Sequence, residues 1–207
     1  MRKLYGVLAL LFFVICFLSS ASAAPLSPEQ KLAQCLKHAE ALPDDTIAEA
    51  ESWLKKDGGD RARTCHAFAQ FHRGEYILAA QEFAALAVLR DTKDRKHAAS
   101  LHAQAGLSYM RADDHKKAES EYTAALRLEK QDPDIWMDRA TERASVERYW
   151  DAIDDLNHAL ILMPDMTEAL RLRGQAWAKL GQDSNAKLDF ERAAMLDSAE
   201  NAPAPPK

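Results

Sequence analysis

Glycine is scarce in this chain, with seven residues in 207, and none is arranged as a phosphate-cradling loop. The sequence also lacks His-Glu-x-x-His and Gly-x-Ser-x-Gly, which removes the usual signatures of a zinc protease and a serine hydrolase. Only three cysteines occur, and no two form Cys-x-x-Cys. None of the asparagines, Asn157, Asn185 and Asn201, opens an Asn-x-Ser/Thr sequon, so nothing favours a glycosylated surface protein. One long apolar run exists, from Leu4 to Leu18, and no other segment is apolar enough to cross a membrane.

That run follows Arg2 and Lys3 and precedes Ala21-Ser22-Ala23. A short basic start, an apolar stretch and an A-x-A end are the three parts of a secretory signal peptide, so residues 1–23 are expected to be removed after Ala23. The alternative, a retained anchor, fits less well: the run is short and no basic stop-transfer cluster follows. Cys16 lies inside the run, away from a lipoprotein setting. Without Arg2 and Lys3 the formal charge falls from −5 to −7, a sign that attracts neither nucleic acid nor anionic lipid. The expected compartment is the bacterial periplasm, with no membrane span after cleavage.

What the chain does contain is a period. A step of 34 residues from Ala152 reaches Ala118 backwards and Ala186 forwards. Gly106, Ala140 and Gly174 align as small residues; Tyr122, Leu156 and Phe190 align as large ones; Ala125, Ala159 and Ala193 are small again. The units are 99–132, 133–166 and 167–200. An earlier unit, 60–93, keeps the frame with Ala67, Gly74, Tyr76, Ala79 and Phe83, and the five residues 94–98 between it and the next are expected to lengthen a helix start. Within each unit apolar residues recur at three- and four-residue steps on either side of a polar turn, which predicts two helices per unit. Asp132-Pro133 reads as an acidic N-cap followed by proline at the first helical position. Small columns occur where two backbones cross closely, and the large column fills the space beside them.

These columns resemble the tetratricopeptide repeat family. The third unit has Trp136, Ala140, Tyr149, Ala152, Leu156, Ala159 and Pro164; the fourth has Leu170, Gly174, Trp177, Gly181, Ala186, Phe190 and Ala193. The resemblance implies an all-α fold, an α-solenoid of antiparallel helix pairs, over 60–198. It also implies that a tryptophan in these columns is core and not a ligand platform. Two departures stand out: Arg143 replaces the usual aromatic residue and Glu147 replaces a turn glycine, so looser packing is expected there.

Residues 24–59 do not keep the columns. Ser27-Pro28-Glu29-Gln30 reads as a capping box opening a helix to near Ala41, Pro43-Asp44-Asp45 as a break, and a second helix is expected from about Thr46 to Lys56 with Ile47, Ala50, Trp53 and Leu54 inward. Asp57-Gly58-Gly59 should end it. The pair reads as an N-terminal cap over the first repeat. Cys35 lies on its first helix and Cys65 on the first helix of the next unit, so in a stack of hairpins the two can meet. Export favours a disulfide; buried free thiols and redox chemistry are the other readings. Small exported bacterial proteins with a cysteine-bearing cap and four such repeats are a recognisable subgroup, which implies no settled activity. Residues 199–207, rich in proline, read as a disordered tail.

The search for chemistry finds little. The seven histidines, His38, His66, His72, His97, His102, His115 and His158, have no metal-ligand spacing and read as surface or capping residues. No cofactor, metal or catalytic set is expected. Asp155 reads as an ion-pair partner of Arg139 or Arg173, and Asp189 as a partner of Arg173. The resemblance implies a concave face lined by the first helix of each unit. Its lining would be Thr64, Phe68 and His72; Ala103, Leu107 and Arg111; Asp134, Met137, Thr141 and Ser145; and Glu168, Arg171, Gln175 and Lys179. The family's carboxylate clamp of Lys and Asn is absent from these places. The lining is graded from apolar to charged, which suits an amphipathic peptide or helix. The expected function is a non-catalytic periplasmic scaffold that binds a protein or peptide partner. A self-assembling homo-oligomer and an accessory subunit of an envelope enzyme are the rivals.

Overall fold

The structure is a computed structural model that describes residues 26–200. The signal peptide expected at 1–23 therefore lies outside the described residues, as do positions 201–207 of the expected tail. Ten helices run along the described chain: α1 (Pro28–Ala41), α2 (Pro43–Leu54), α3 (Gly59–His72), α4 (Tyr76–Arg90), α5 (Arg95–Arg111), α6 (His115–Leu128), α7 (Pro133–Ser145), α8 (Tyr149–Leu162), α9 (Thr167–Lys179) and α10 (Asp183–Glu200). The fold is all-α, a solenoid of helix hairpins.

Local chemistry sets many of the boundaries. Ser27 caps α1 through a full capping box, its hydroxyl accepting from Gln30 N while the Gln30 side chain accepts from Ser27 N. Asp94, Asp114 and Asp132 cap α5, α6 and α7 through side-chain carboxylates. The capping by Asp94 starts α5 within the extra residues, and α5 reaches 17 residues against 13 in α7 and α9. The cap's second helix starts earlier than the sequence suggests. Pro43 is not a break but the first residue of α2, where its missing N–H costs nothing, and only Leu42 separates the two helices. Thr46 Oγ1 donates to the Leu42 carbonyl at 2.8 Å across this junction. At the other end, α10 runs to Glu200, two residues into the segment read as a tail.

The hairpin turns share one backbone conformation. Gly74, Asp113, Glu147 and Gly181 stand at the same place in the four 34-residue units and all have positive φ, at 86°, 57°, 62° and 72°. Glycine adopts this region freely, whereas Glu147 holds it at a cost on the order of 1 kcal/mol. The turn is thus conserved in shape where the sequence suggested loosening. Arg143 likewise leaves no gap: it donates to Glu119 at 3.1 Å and to Asp155 at 2.8 Å, so an ion-pair network fills the aromatic position.

Each helix packs on the next in sequence, and odd-numbered helices also meet one another in the pairs α1–α3, α5–α7 and α7–α9. No pair of even-numbered helices packs to a similar extent. The odd-numbered helices α5, α7 and α9 thus form a row in mutual contact, the row expected to line a concave face. Between the rows lie the cores. Phe83 and Leu86 are enclosed with Ala67, Ala79 and Leu101; Tyr122 with Ala99, Ala118 and Ala125; Leu156 and Leu170 with Ala140, Ala159 and Ala169. Burial of these side chains is the main force holding the stack, at about 25 cal/mol per Å² of apolar surface.

At the N-terminal end Cys35 and Cys65 form a disulfide that ties α1 to α3, with Cα atoms 5.8 Å apart. Trp53 and Ala50 pack around it. The bridge fastens the helix pair that has fewest neighbours.

Candidate functional site on the concave face

The expected lining divides into residues used by the core and residues left to solvent. Ala103 is buried in the second core, and Thr64 is buried with its hydroxyl on the Asp60 carbonyl. Phe68 is half-buried, edge-on to Phe83 at 4.9 Å between centroids, and touches two core clusters. Met137 packs against the core shared by α7–α10. Much of the apolar half of the lining is therefore committed to packing. Leu107 and Thr141 are half-buried, Thr141 giving its hydroxyl proton to the Met137 carbonyl at 3.0 Å. His72, Arg111, Gln175 and Lys179 are exposed, and Arg171 is held by Glu168 and Asp197.

Two of the expected ion pairs are present. Arg139 grips Asp155 through two hydrogen bonds of 2.9 and 2.8 Å, and Arg173 grips Asp189 at 2.8 and 2.6 Å. Arg173 does not reach Asp155. Its third contact is Asn157 at 2.7 Å, as Arg139's is Thr123 at 3.2 Å. These bridges span the two helices of a unit and reach back to the previous one, so they fix register along the stack.

Three histidines depart from the surface reading. His66 pairs with Glu82 at 2.8 Å, His102 with Glu121 at 2.6 Å and His115 with Glu142 at 3.0 Å, each between different helices. The hydrogen bond from Glu82 raises His66 above its ordinary value, against the opposing effect of burial. No group of three or more His, Cys, Asp or Glu among the described residues is placed to hold a metal ion. No described helix is long and apolar enough to cross a membrane.

A polar set of which the lining columns named only Asp134 lies where α5, α6 and α7 meet. Asp134, Asp138 and Glu142 follow one another at four-residue steps along α7. Asp138 has no hydrogen-bond or ion-pair partner among the described residues; burial, then Asp134 and Asp132, push its carboxyl up to about 6. Glu142 is 1% exposed; its Oε1 meets His115, while its Oε2 has no partner. Burial raises Glu142 as well, with His115 opposing. The Tyr122 hydroxyl, on a wholly buried side chain, is also unpartnered. Burial pushes that phenol up strongly, Asp138 and Glu142 add to the effect, and Arg111 opposes it. The sequence signal for this set was only the four-residue spacing of three acids, which any solvated helix face can show.

In overall shape the chain matches a crystal structure of MamA with a TM-score of 0.70, at 17% identity over 86% of this chain and 98% of that one. Residues 41 to the end of MamA from Desulfovibrio magneticus RS-1 match with a TM-score of 0.70, at 15% identity over 84% and 96% of the two chains. MamA is a tetratricopeptide repeat protein. This chain has the tetratricopeptide repeat fold. No protein-family model matches the sequence, and no curated protein matches it. Identity this low carries the tetratricopeptide fold across and nothing finer.

Proposed function

We propose that this chain is an exported, non-catalytic scaffold that holds a peptide segment of a protein partner along its concave face. The observation that carries the reading is the contact between α5, α7 and α9, a row on which Leu107 and Thr141 are half-buried and Gln175 and Lys179 are exposed. We take the exposed side of that row as the trough. A trough of mixed apolar and charged side chains suits an extended or helical peptide better than a small molecule. The Cys35–Cys65 bridge supports an oxidising compartment and hence export.

The test is crosslinking in cells with the tagged protein, followed by capture from envelope fractions. Leu107→Glu with Lys179→Glu serves as the groove variant, chosen because both side chains reach solvent, and its fold is checked by circular dichroism. A partner captured by the wild type and lost by the variant is the expected result. Capture of the same set by both overturns the reading.

A second reading, association between copies, is favoured by one observation: Ile77, Leu78, Val88 and Leu89 of α4 are 40 to 70% exposed. Sedimentation across protein concentrations separates the two, since a scaffold of the first kind stays monomeric.

A further inference from the structure

The third repeat departs from its neighbours at one place. Down the 34-residue columns, Glu142 stands where the other units have Ala69, Ser108 and Ala176, all small and all buried. In the next column Arg143 stands where the adjacent units have Tyr109 and Trp177. Across from them on α6, Glu119 stands where Ala80 and Ile153 are buried in their own units. Ionisable groups thus replace small and apolar ones at a single junction of the stack. Such groups are costly to bury, and the other repeats stack without them.

All three acids and bases border a cavity of about 240 Å³, enclosed by α6, the end of α7 and the turn to α8. It lies beside the Arg143 network. Most of its walls are satisfied from within. Glu119 accepts from Arg143 at 3.1 Å and from Arg148 at 2.7 Å, one on each oxygen. The two arginines also reach Asp155 and Asp151. Two wall groups are left over. Glu142 is 1% exposed; its Oε1 meets His115 at 3.0 Å, but its enclosed Oε2 has no partner. Lys116 is exposed and forms no hydrogen bond or ion pair among the described residues. A buried acceptor therefore lacks a donor, while a cation on the same cavity lacks an anion.

We infer that this cavity binds a small zwitterion, an α-amino acid, whose ammonium takes Glu142 Oε2 and whose carboxylate takes Lys116 and Arg148. A lone cation would meet Lys116, Arg143 and Arg148, and a lone anion would leave Glu142 unpartnered. A molecule carrying both charges a few bonds apart answers both needs. His115, bonded to Glu142 and with its side chain 37% exposed, is the wall that turns to admit the ammonium. Val146 offers the ligand's side chain an apolar surface. The volume suits an amino acid and is small for a nucleotide. None of Leu107, Thr141, Gln175 and Lys179 borders the cavity, so the site stands apart from the peptide groove.

The test titrates each protein amino acid into the purified protein by calorimetry, then the N-acetyl and methyl-ester forms of any that binds. At least one amino acid should bind at millimolar concentration or below. Acetylating its nitrogen or esterifying its carboxylate should weaken it about tenfold or more. Glu142→Gln should weaken the free amino acid by a similar factor and leave the N-acetyl form unaffected, since both changes break the same contact. Lys116→Glu alters an exposed side chain and keeps the fold, so it tests the site even where Glu142→Gln disturbs folding; it should weaken the free amino acid and spare the methyl ester. Binding by no amino acid overturns the site. So does binding that survives both variants, or acetate or methylammonium binding as tightly as the amino acid. None of these outcomes touches the groove reading, whose variant Leu107→Glu with Lys179→Glu leaves this cavity unchanged.

Discussion

The first repeat and the last two close the same gap between paired helices with different chemistry. In all three the bridging residues are 16 positions apart and occupy the same places in the unit: His66 with Glu82, Arg139 with Asp155, and Arg173 with Asp189. The second repeat has Ala105 at the cationic place and uses His102 with Glu121 instead. The N-terminal half is thus joined by histidine–carboxylate pairs and is reinforced by a disulfide. The C-terminal half is joined by permanently charged guanidinium groups with bidentate geometry. One backbone arrangement accepts either solution, but the two halves should respond differently to mutation, reduction and pH.

The largest effect is expected in the C-terminal half. Asp155→Ala leaves Arg139, whose side chain is only 12% exposed, without a carboxylate and Arg143 with Glu119 alone, and should cost about 3–5 kcal/mol in urea denaturation. A loss below about 1 kcal/mol would show that water reaches these cations and that the bridge is not the main lock. In the N-terminal half the corresponding lock is covalent. Cys35→Ser with Cys65→Ser opens a loop of sequence separation 30 and should cost about 3–4 kcal/mol, and the wild type under reducing agent should match the variant. Hydrogen exchange should place that loss in α1–α3 and leave α7–α10 protected.

Between the halves lies Asp138, where the sign reverses. Its folded value of about 6 lies above the ordinary 3.8, so the folded state binds the proton more tightly. Stability should therefore fall as pH rises from about 4 to about 6, by an amount on the order of 2 kcal/mol, and stay level above. Asp138→Asn should remove that slope in a pH series of thermal melts.

The two helical glycines sharpen the comparison further. A Cβ on Gly106 would meet the wholly buried Tyr122, and one on Gly174 would meet Phe190, which is 40% exposed. Phe190 can swing outward and Tyr122 cannot. Gly106→Ala should cost about 1–2 kcal/mol, while Gly174→Ala should be near neutral once alanine's better helix propensity is included. Equal losses at the two sites would mean that Phe190 is fixed despite its exposure.

The smallest effect belongs to the first repeat. His66 is raised above 6.5, so its contribution is fully present below about 6.5 and is lost as pH rises through the folded value. The loss should be under about 1 kcal/mol, and His66→Gln should abolish it. The Arg–Asp bridges of the other half should show no change in that window.

Much of this was readable in the chain. The 34-residue columns gave the helix pairs because helix crossings tolerate only certain side-chain sizes, and size is a property of each residue alone. The Cys35–Cys65 pairing followed from helix order. The Arg139–Asp155 and Arg173–Asp189 bridges were legible because their spacing recurs with the repeat. The start of α2 at Pro43 was missed because proline signals both a break and a first helical position, and the cap lacked the periodic frame to decide. The His102–Glu121 and His115–Glu142 pairs were not legible: their partners come from different helices at spacings of 19 and 27 residues, which share no period, while His66–Glu82 keeps the 16-residue spacing of the Arg–Asp bridges.

The sequence by itself determined the number of hairpins, their turns and the small and large columns that let them stack, because each depends on local conformation or on the size of one side chain. Tertiary structure alone decided which charges are paired. Only the packing of α5, α6 and α7 buries Tyr122 and Glu142 and leaves the Tyr122 hydroxyl and one Glu142 oxygen without a partner, since desolvation depends on every neighbour at once.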